Sequence, residues 1–193
     1  MRIFYAVKFD DYVKNSIAEN LDVIQKHILR GSFTETDNFH VTLVFVGECE
    51  PKQLDDLKKA ADDTAAKLNL SPSRAVIEGL GTFGRPGEEL LWAGVKTEPD
   101  DILYKINKTL LEELESHGLK TDGDNKKFNP HVTIARKTEF WGISSKDLNL
   151  INFKPVYFWI NSITLMESIQ EIKSYGDRKY AKIIYKPIYE TKF

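Results

Sequence analysis

Apolar positions along the chain switch between two periods. Arg2 to Phe9 is dense in Ile, Phe, Tyr and Val and stops at Asp10-Asp11, which predicts a strand running into the acidic first turn of a helix. From Tyr12 the spacing changes: Val13, Ile17, Leu21, Ile24 and Ile28 fall 4, 4, 3 and 4 residues apart, one apolar stripe on a helix expected to end near Gly31. Phe39 to Val46 is a β-branched and aromatic run closed by Gly47, which reads as a largely buried strand. Pro51 then opens a second helix, in which Leu54, Leu57, Ala61, Ala65 and Leu68 keep helical spacing until Ser71-Pro72-Ser73.

The second half repeats the alternation. Arg74 to Glu78 and Glu89 to Val95 suit two strands of a hairpin around a glycine-punctuated loop, 79–87. Ile102, Leu103, Ile106, Leu110, Leu111 and Leu114 define a third helix, with His117 in its last turn and Gly118 as its stop. Phe128 to Ala135 repeats the earlier strand pattern after a charged loop, and Phe158 to Met166 and Tyr180 to Tyr185 are strand-like, with Gly176-Asp177 in the turn between them. Three helices interleaved with strands predict an α+β domain with helices packed on a sheet.

The two strand runs Phe39-His-Val-Thr-Leu43 and Pro130-His-Val-Thr-Ile134 share a near-identical tetrapeptide, 91 residues apart. That points to two lobes related by an internal pseudo-repeat, with the two strands meeting at the join. In a strand, side chains alternate between faces, so His40 and Thr42 point one way while Val41 and Leu43 enter the core; His131 and Thr133 follow the same rule. If the strands lie side by side, two imidazoles and two hydroxyls converge in one cleft. Such a set suits in-line displacement at phosphorus, where a base takes a proton from the nucleophile and an acid gives one to the leaving oxygen. Histidine, with an ordinary pKa of about 6.5, fills both roles near neutrality, and threonine hydroxyls can donate to the non-bridging oxygens as charge builds.

Composition narrows the setting. The chain has 193 residues, about one domain's worth, and 27 basic against 29 acidic residues, a balance unsuited to a dedicated duplex binder. Its one cysteine, Cys49, excludes an internal disulfide and a cysteine-rich zinc site. No stretch approaches the ~20 apolar residues of a membrane helix, and the N-terminal run is too short for a signal segment. A soluble, cytoplasmic monomer without membrane or protein partners is expected, organised as one domain over 1–193. Of the other histidines, His27 and His117 sit on predicted helices, where His117 is explained as a favourable charge near a helix C-terminus. Gly79-Leu-Gly-Thr-Phe-Gly84 satisfies G-x-G-x-x-G but is followed by Arg85-Pro86-Gly87 and a strand-like run, not a helix, so no dinucleotide cofactor is expected. No metal is expected either, since the repeated motif supplies hydroxyls, poor zinc ligands, rather than carboxylates.

With these motifs in place, the chain resembles the two-histidine phosphoesterases, and within them the LigT-like RNA 2′,3′-cyclic phosphodiesterases, historically called 2′-5′ RNA ligases. The resemblance rests on the paired His-x-Thr motifs and on Arg2 to Val7, Asn38 to Gly47, Gly79 to Phe83, Leu91-Trp92, Phe128 to Arg136 and Ile163 to Ser168. It implies a bilobal α+β fold with a positively lined groove between pseudo-symmetric lobes. It implies that His40 is the proton donor and His131 the proton acceptor in opening a terminal 2′,3′-cyclic phosphate of RNA to a 2′-phosphate, with Thr42 and Thr133 on the phosphoryl oxygens. The near-interchangeable motifs do not themselves distinguish acid from base.

Other residues are candidates for substrate contact. Strict alternation places Arg136 on the face away from His131, and only a strand end or bulge turns it back toward phosphate. Phe83 and Arg85 in the glycine loop suit stacking on, or pairing with, a terminal nucleotide, and Lys126 and Lys127 suit steering of RNA. Rival readings are an RNA-end binding module without turnover, a small cyclic nucleotide phosphodiesterase, and a 2′-5′ RNA ligase.

Overall fold

In chain order the elements are β1 (Arg2–Lys8), α1 (Asp11–Ala18), α2 (Leu21–Gln25), β2 (Ile28–Phe33), β3 (His40–Glu48), α3 (Leu54–Leu68), β4 (Ser73–Phe83), β5 (Glu89–Glu98), α4 (Ile102–Ser116), β6 (His131–Phe140), β7 (Val156–Ile160), β8 (Ser162–Tyr175) and β9 (Arg178–Lys192), with three short 3-10 turns. The computed structural model describes residues 1–98, 101–121, 127–175 and 178–193, and the side chains of these outside 174–180. Lys126 and the expected turn at Gly176-Asp177 lie outside the described residues.

The strands form one antiparallel sheet in the order β7-β4-β5-β6-β3-β1-β8-β9, with β2 also paired to β6. Its middle is its weakest seam. β3 and β6 share a single registered pair, Val41 with Val132, beyond which β6 turns to β2. The seam divides the sheet into a His40 half (β3, β1, β8, β9), covered by α3 and α4, and a His131 half (β6, β5, β4, β7), covered by α1. Beneath the helices one apolar core runs through both halves, from Ile3, Tyr5 and Val41 to Val132, Ile134 and Phe158. Tyr5 ties strand to helix by donating its hydroxyl to the Leu57 carbonyl of α3 at 2.6 Å.

Two expectations are corrected. The helix predicted to reach Gly31 breaks at Asn20, which is 3% exposed. Its Nδ2 donates to the carbonyls of Ser16 and Lys154, and its Oδ1 accepts from the Lys154 N–H at 2.7 Å, so the amide anchors the segment entering β7 instead of a helical turn. Val13, Ile17 and Ile24 still face the core from two short helices, which is why the stripe looked continuous. Ile28 belongs to β2, opposite Phe140, and His27 lies just beyond α2 rather than on a helix. The run Phe158 to Met166 is not one strand. It breaks at Asn161, where β7 leaves the β4 edge and β8 begins on β1, at the other end of the sheet. Alternation carried the signal: Val156, Phe158 and Ile160 are buried before the break, Ile163 and Leu165 after it, so the parity changes.

Candidate active site

The two His-x-Thr segments open β3 and β6, the strands that meet at the seam. Val41, Leu43, Val132 and Ile134 are at most 2% exposed, whereas His40, Thr42, His131 and Thr133 stay partly open on the opposite face. Each imidazole is held in the same way. His40 Nδ1 donates to the Asn38 carbonyl at 2.7 Å and His131 Nδ1 to the Asn129 carbonyl at 2.6 Å. A carbonyl only accepts, so each Nδ1 carries hydrogen and each Nε2 is left to titrate on the groove side. At His40 the Thr42 hydroxyl donates to that Nε2 at 3.0 Å.

Two clefts flank these residues and are crossed by the motifs. A cleft of about 240 Å³ brings His40 together with Thr133, Arg136, Asn38, Lys182 and Tyr185. The other, about 600 Å³, brings His131 together with Thr42, Phe45, Phe83, Phe128 and Lys127. Each histidine thus shares a cleft with the threonine of the other strand, the two strands being paired at Val41 and Val132. Aromatic rings border both imidazoles: Phe4 and Tyr185 have centroids 5.1 and 5.0 Å from His40, and Phe83 and Trp92 lie 5.3 and 6.2 Å from His131.

A bulge redirects Arg136. On β6, Thr133 pairs with Trp92 and Ala135 with Leu91, so Ile134 is an extra residue and both Ile134 and Ala135 point into the core. The parity flips, and Arg136 comes out on the groove side, lining the cleft with His40. The same device appears on β3, where Leu43 is extra between the Thr42–Ala6 and Val44–Tyr5 pairs. Each bulged carbonyl finds a donor outside the ladder: Leu43 O accepts from the Asn107 side chain at 2.7 Å, and Ile134 O from the Thr34 N–H at 2.9 Å. Asn107, the start of a glycosylation-like triplet, is therefore a packing residue on α4.

Burial pushes the His40 imidazole down to about 4; the bond to Asn38 opposes that shift, while Arg136 and His131 add to it. His131 is likewise lowered, by burial first, with its bond to Asn129 opposing and Arg136 assisting. Both rings are thus neutral in the free protein at neutral pH, and Arg136 acts on both. An anionic phosphodiester in the groove reverses the balance, favouring a proton on an imidazole.

Of the remaining predicted residues, Phe83 stands beside His131 and Trp92, and Lys127 lines the apolar cleft. Arg85 does not join them: it is exposed in the β4–β5 turn and lines neither cleft. His117 caps α4, its Nε2 3.2 Å from Asp63. With Asp63 and Glu113 it forms the one trio of potential metal ligands among the described residues, between α3 and α4 and apart from the two histidines of the groove. The glycine run forms the end of β4 and a turn into a strand, without the helix a dinucleotide site needs. Gly81 instead makes room for Trp92, whose ring a Cβ there would overlap.

Several site residues went unmarked in the sequence reading. Asn38 and Asn129 both stand two residues before a histidine, so the repeat extends to Asn-x-His-Val-Thr, a signal present in the text. Trp92 belongs to the Leu91-Trp92 pair that helps carry the resemblance, although nothing there places it beside His131; Tyr185 and Lys182 carry no signal, because strand pairing alone brings them in.

Among the described residues no helix is long and apolar enough to cross a membrane. Over its whole length the chain is 27% identical to the RNA 2′,3′-cyclic phosphodiesterase of Thermotoga maritima, covering 96% of that protein. It is 31% identical to the enzyme of that name from Archaeoglobus fulgidus, over 70% of this chain and 72% of the relative. Among solved structures, a Thermus thermophilus protein superposes with a TM-score of 0.69 at 22% identity, covering 100% of this chain and 97% of that one. E. coli LigT complexed with 3′-AMP does so at 0.71 and 19%, over 99% and 97%. The bilobal α+β fold is thus that of the LigT-type phosphoesterases. Residues 35–171, which contain both His-x-Thr motifs, match the family model, and the chain belongs to the 2′-5′ RNA ligase superfamily.

Proposed function

We propose that this chain hydrolyses 2′,3′-cyclic phosphate ends of RNA to 2′-phosphomonoesters by metal-independent acid–base catalysis, within one bilobal domain acting as a monomer in the cytoplasm. The observation that carries the reading is the pair of imidazoles on neighbouring strands, each fixed through Nδ1 to a main-chain carbonyl, which leaves Nε2 as the nitrogen that exchanges a proton, at His40 beside the Thr42 hydroxyl. The names of the relatives from Thermotoga maritima and Archaeoglobus fulgidus support the substrate class.

In the hydrolytic direction, water attacks phosphorus as the bond from phosphorus to O3′ breaks. His131 Nε2 takes the proton of the attacking water, and His40, protonated at Nε2 once the phosphate anion is bound, gives its proton to the departing O3′. Arg136 reaches the two non-bridging oxygens from the His40 side, and Thr133 and Thr42 donate to the same two as charge develops. A five-membered cyclic phosphate is a strained electrophile, which lowers the demand on the protein. A 5′-hydroxyl oxygen in place of water would carry out the same ring opening, with P–O3′ breaking and a 2′-5′ linkage forming, so one geometry accounts for both activities in the family's vocabulary.

The experiment is turnover of a short RNA ending in a 2′,3′-cyclic phosphate in excess EDTA, native chain against the His40→Ala/His131→Ala double variant. Conversion to a 2′-phosphate by the native chain alone supports the reading. Absence of turnover, or turnover abolished by EDTA, overturns it.

A further inference from the structure

The His131 half continues its solvent-facing sheet surface well past the catalytic residues. Cross-strand partners share a face, and the register defines this one: His131 stands opposite Gly94, and Gly94 opposite Glu78. Further along come Lys96 opposite Val76 and Glu98 opposite Arg74, and on the edge strand Val76 meets Tyr157 and Arg74 meets Trp159. Tyr157 is 67% and Trp159 57% exposed, although Val156, Phe158 and Ile160 between and beside them are buried. A depression of about 170 Å³ lies among Arg74, Val76, Lys96, Glu98 and Tyr157. On the other flank of Trp159 a larger one, about 840 Å³, includes Lys8, Lys14, Lys192 and Tyr12, the last 77% exposed. Acidic groups share these surfaces: Glu78 pairs with Lys96 at 2.6 Å, Glu190 with Lys8 at 3.5 Å, and Asp10 and Asp11 line the larger depression.

We propose that this face is a stacking platform for the nucleotides 5′ of the cyclic-phosphate end of a single-stranded RNA, with bases on Tyr157 and Trp159 and phosphates toward Arg74 and Lys96. The proposal rests on the catalytic reading above. Three features select this occupant. The platform is continuous with His131: it lies three strand spacings across and two to four residues along the sheet, roughly 16 Å to Tyr157 and roughly 20 Å to Trp159, so a strand leaving the catalytic groove along the sheet reaches it beyond the terminal nucleotide. Exposed aromatics interleaved with cations are what sequence-tolerant binding of single strands requires, and here Arg74 stands beside Trp159 while Lys96 is shared with Glu78. Finally, the rings stand on the sheet face, whereas a second copy adding a strand to the β7 edge would use main-chain groups and leave them bare.

The test compares the native chain with Tyr157→Ser/Trp159→Ser on a nucleoside 2′,3′-cyclic phosphate and on an eight-nucleotide RNA with the same end. Native kcat/KM is expected to rise with length. The double variant is expected to lose tenfold or more on the RNA, each stacked base contributing roughly 5- to 150-fold, and to keep native turnover of the mononucleotide. Trp159→Phe, which retains a ring, should recover most of its share, and Arg74→Gln should reduce the slope of log affinity against log salt by about 0.7. Equal loss on both substrates, or no loss on the RNA, overturns the platform. Fluorescence anisotropy of a labelled octamer ending in a 2′-phosphate reads the same surface without turnover. Weakened binding by the double variant there sustains the platform even if catalysis is absent; unchanged binding overturns it. A concentration-dependent dimer in the native chain, abolished in the double variant while RNA binding is unaffected, assigns the rings to self-association and overturns it as well.

Discussion

The His40 and His131 strands are built alike for seven residues and then diverge. Both begin with an asparagine whose carbonyl takes the Nδ1 proton, both carry His-Val-Thr, and both bulge at the next pair, Leu43-Val44 and Ile134-Ala135, with the bulged carbonyl satisfied from outside the sheet. The next position is Phe45 on one strand and Arg136 on the other. Phe45 enters the cleft of His131 with Phe83 and Phe128, and Arg136 enters the cleft of His40 with Lys182 and Asn38. The shared part gives two imidazoles held alike through Nδ1, although only His40 also meets its own strand's threonine at Nε2; the divergent residue gives the groove a polar and an apolar side. A symmetric site would have no preferred direction for an asymmetric substrate, and on the reading proposed above the Arg136/Phe45 difference is one of the features that would orient it.

The largest expected effect removes the shared part. His40→Ala and His131→Ala should each reduce kcat by about 10² to 10⁴, the range for losing a general acid or base. Because the two act in one step, the double variant should fall little further than either single one. Multiplying single losses in single-turnover assays would show two independent contributions and break the paired reading.

The threonines come next and sharpen the asymmetry. Thr42→Ala and Thr133→Ala should each cost about 10² to 10³ in kcat, by analogy with loss of one oxyanion donor. Thr42 also donates to His40 Nε2. A hydrogen bond to the neutral imidazole favours that form, so its removal raises the His40 pKa and moves the His40 limb of the pH profile upward. Thr133→Ala should lower the rate without that displacement, and identical profiles for the two variants would count against the Thr42 bond.

Arg136 should have a smaller effect on rate and a larger one on pH. Arg136→Gln removes a charged contact to phosphate, about 10- to 100-fold in kcat/KM. It also removes the positive charge that lowers both imidazoles, so both pKa values rise. In the native chain the bell of kcat/KM, which reports the free protein, should have both limbs below the ordinary imidazole value of about 6.5, with one near 4 for His40. The kcat profile should lie at higher pH, since bound phosphate returns the proton to an imidazole. In Arg136→Gln the kcat/KM bell should move toward neutrality while its height falls; an unmoved bell would mean that Arg136 does not sense the histidines.

How far the sequence revealed this site depends on the kind of contact. His40, Thr42, His131 and Thr133 were legible because period-two alternation within one strand sets their faces. Arg136 was legible only with the proviso of a bulge, for a single extra residue inverts every side chain after it. The break at Asn20 was invisible because two short helices preserve one apolar stripe; only the long-range bond to Lys154, 134 residues away, ends the first. Trp92 and Tyr185 are set by register between strands distant in sequence, which no local pattern encodes. Arg85 was legible as a loop cation but not as one that misses both clefts, since spacing within a loop does not fix direction.

The smallest expected effect concerns the ring beside His131. Trp92 lies over Gly81 and against Phe83, and the imidazole of His131 packs at the edge of this pair. Gly81→Ala places a methyl group where the indole now sits, so the ring must move or the strands must part. Overpacking of that kind costs about 1 to 3 kcal/mol in stability. The His40 side has its own aromatic pair, Phe4 and Tyr185, in a small cluster with Ala6 and Met166 against which Phe45 also packs, and the atoms nearest a Cβ at Gly81 are all of Trp92. The variant should therefore disturb His131 selectively. Histidine NMR titration should show the His131 signal moving toward the ordinary value as its burial is relaxed, with His40 unchanged. kcat/KM should fall severalfold, less than for either threonine change. If both histidines moved together, the aromatic packing of the two halves would be coupled across the seam, with Phe45, which packs against the Phe4 cluster and shares the His131 cleft, as the link.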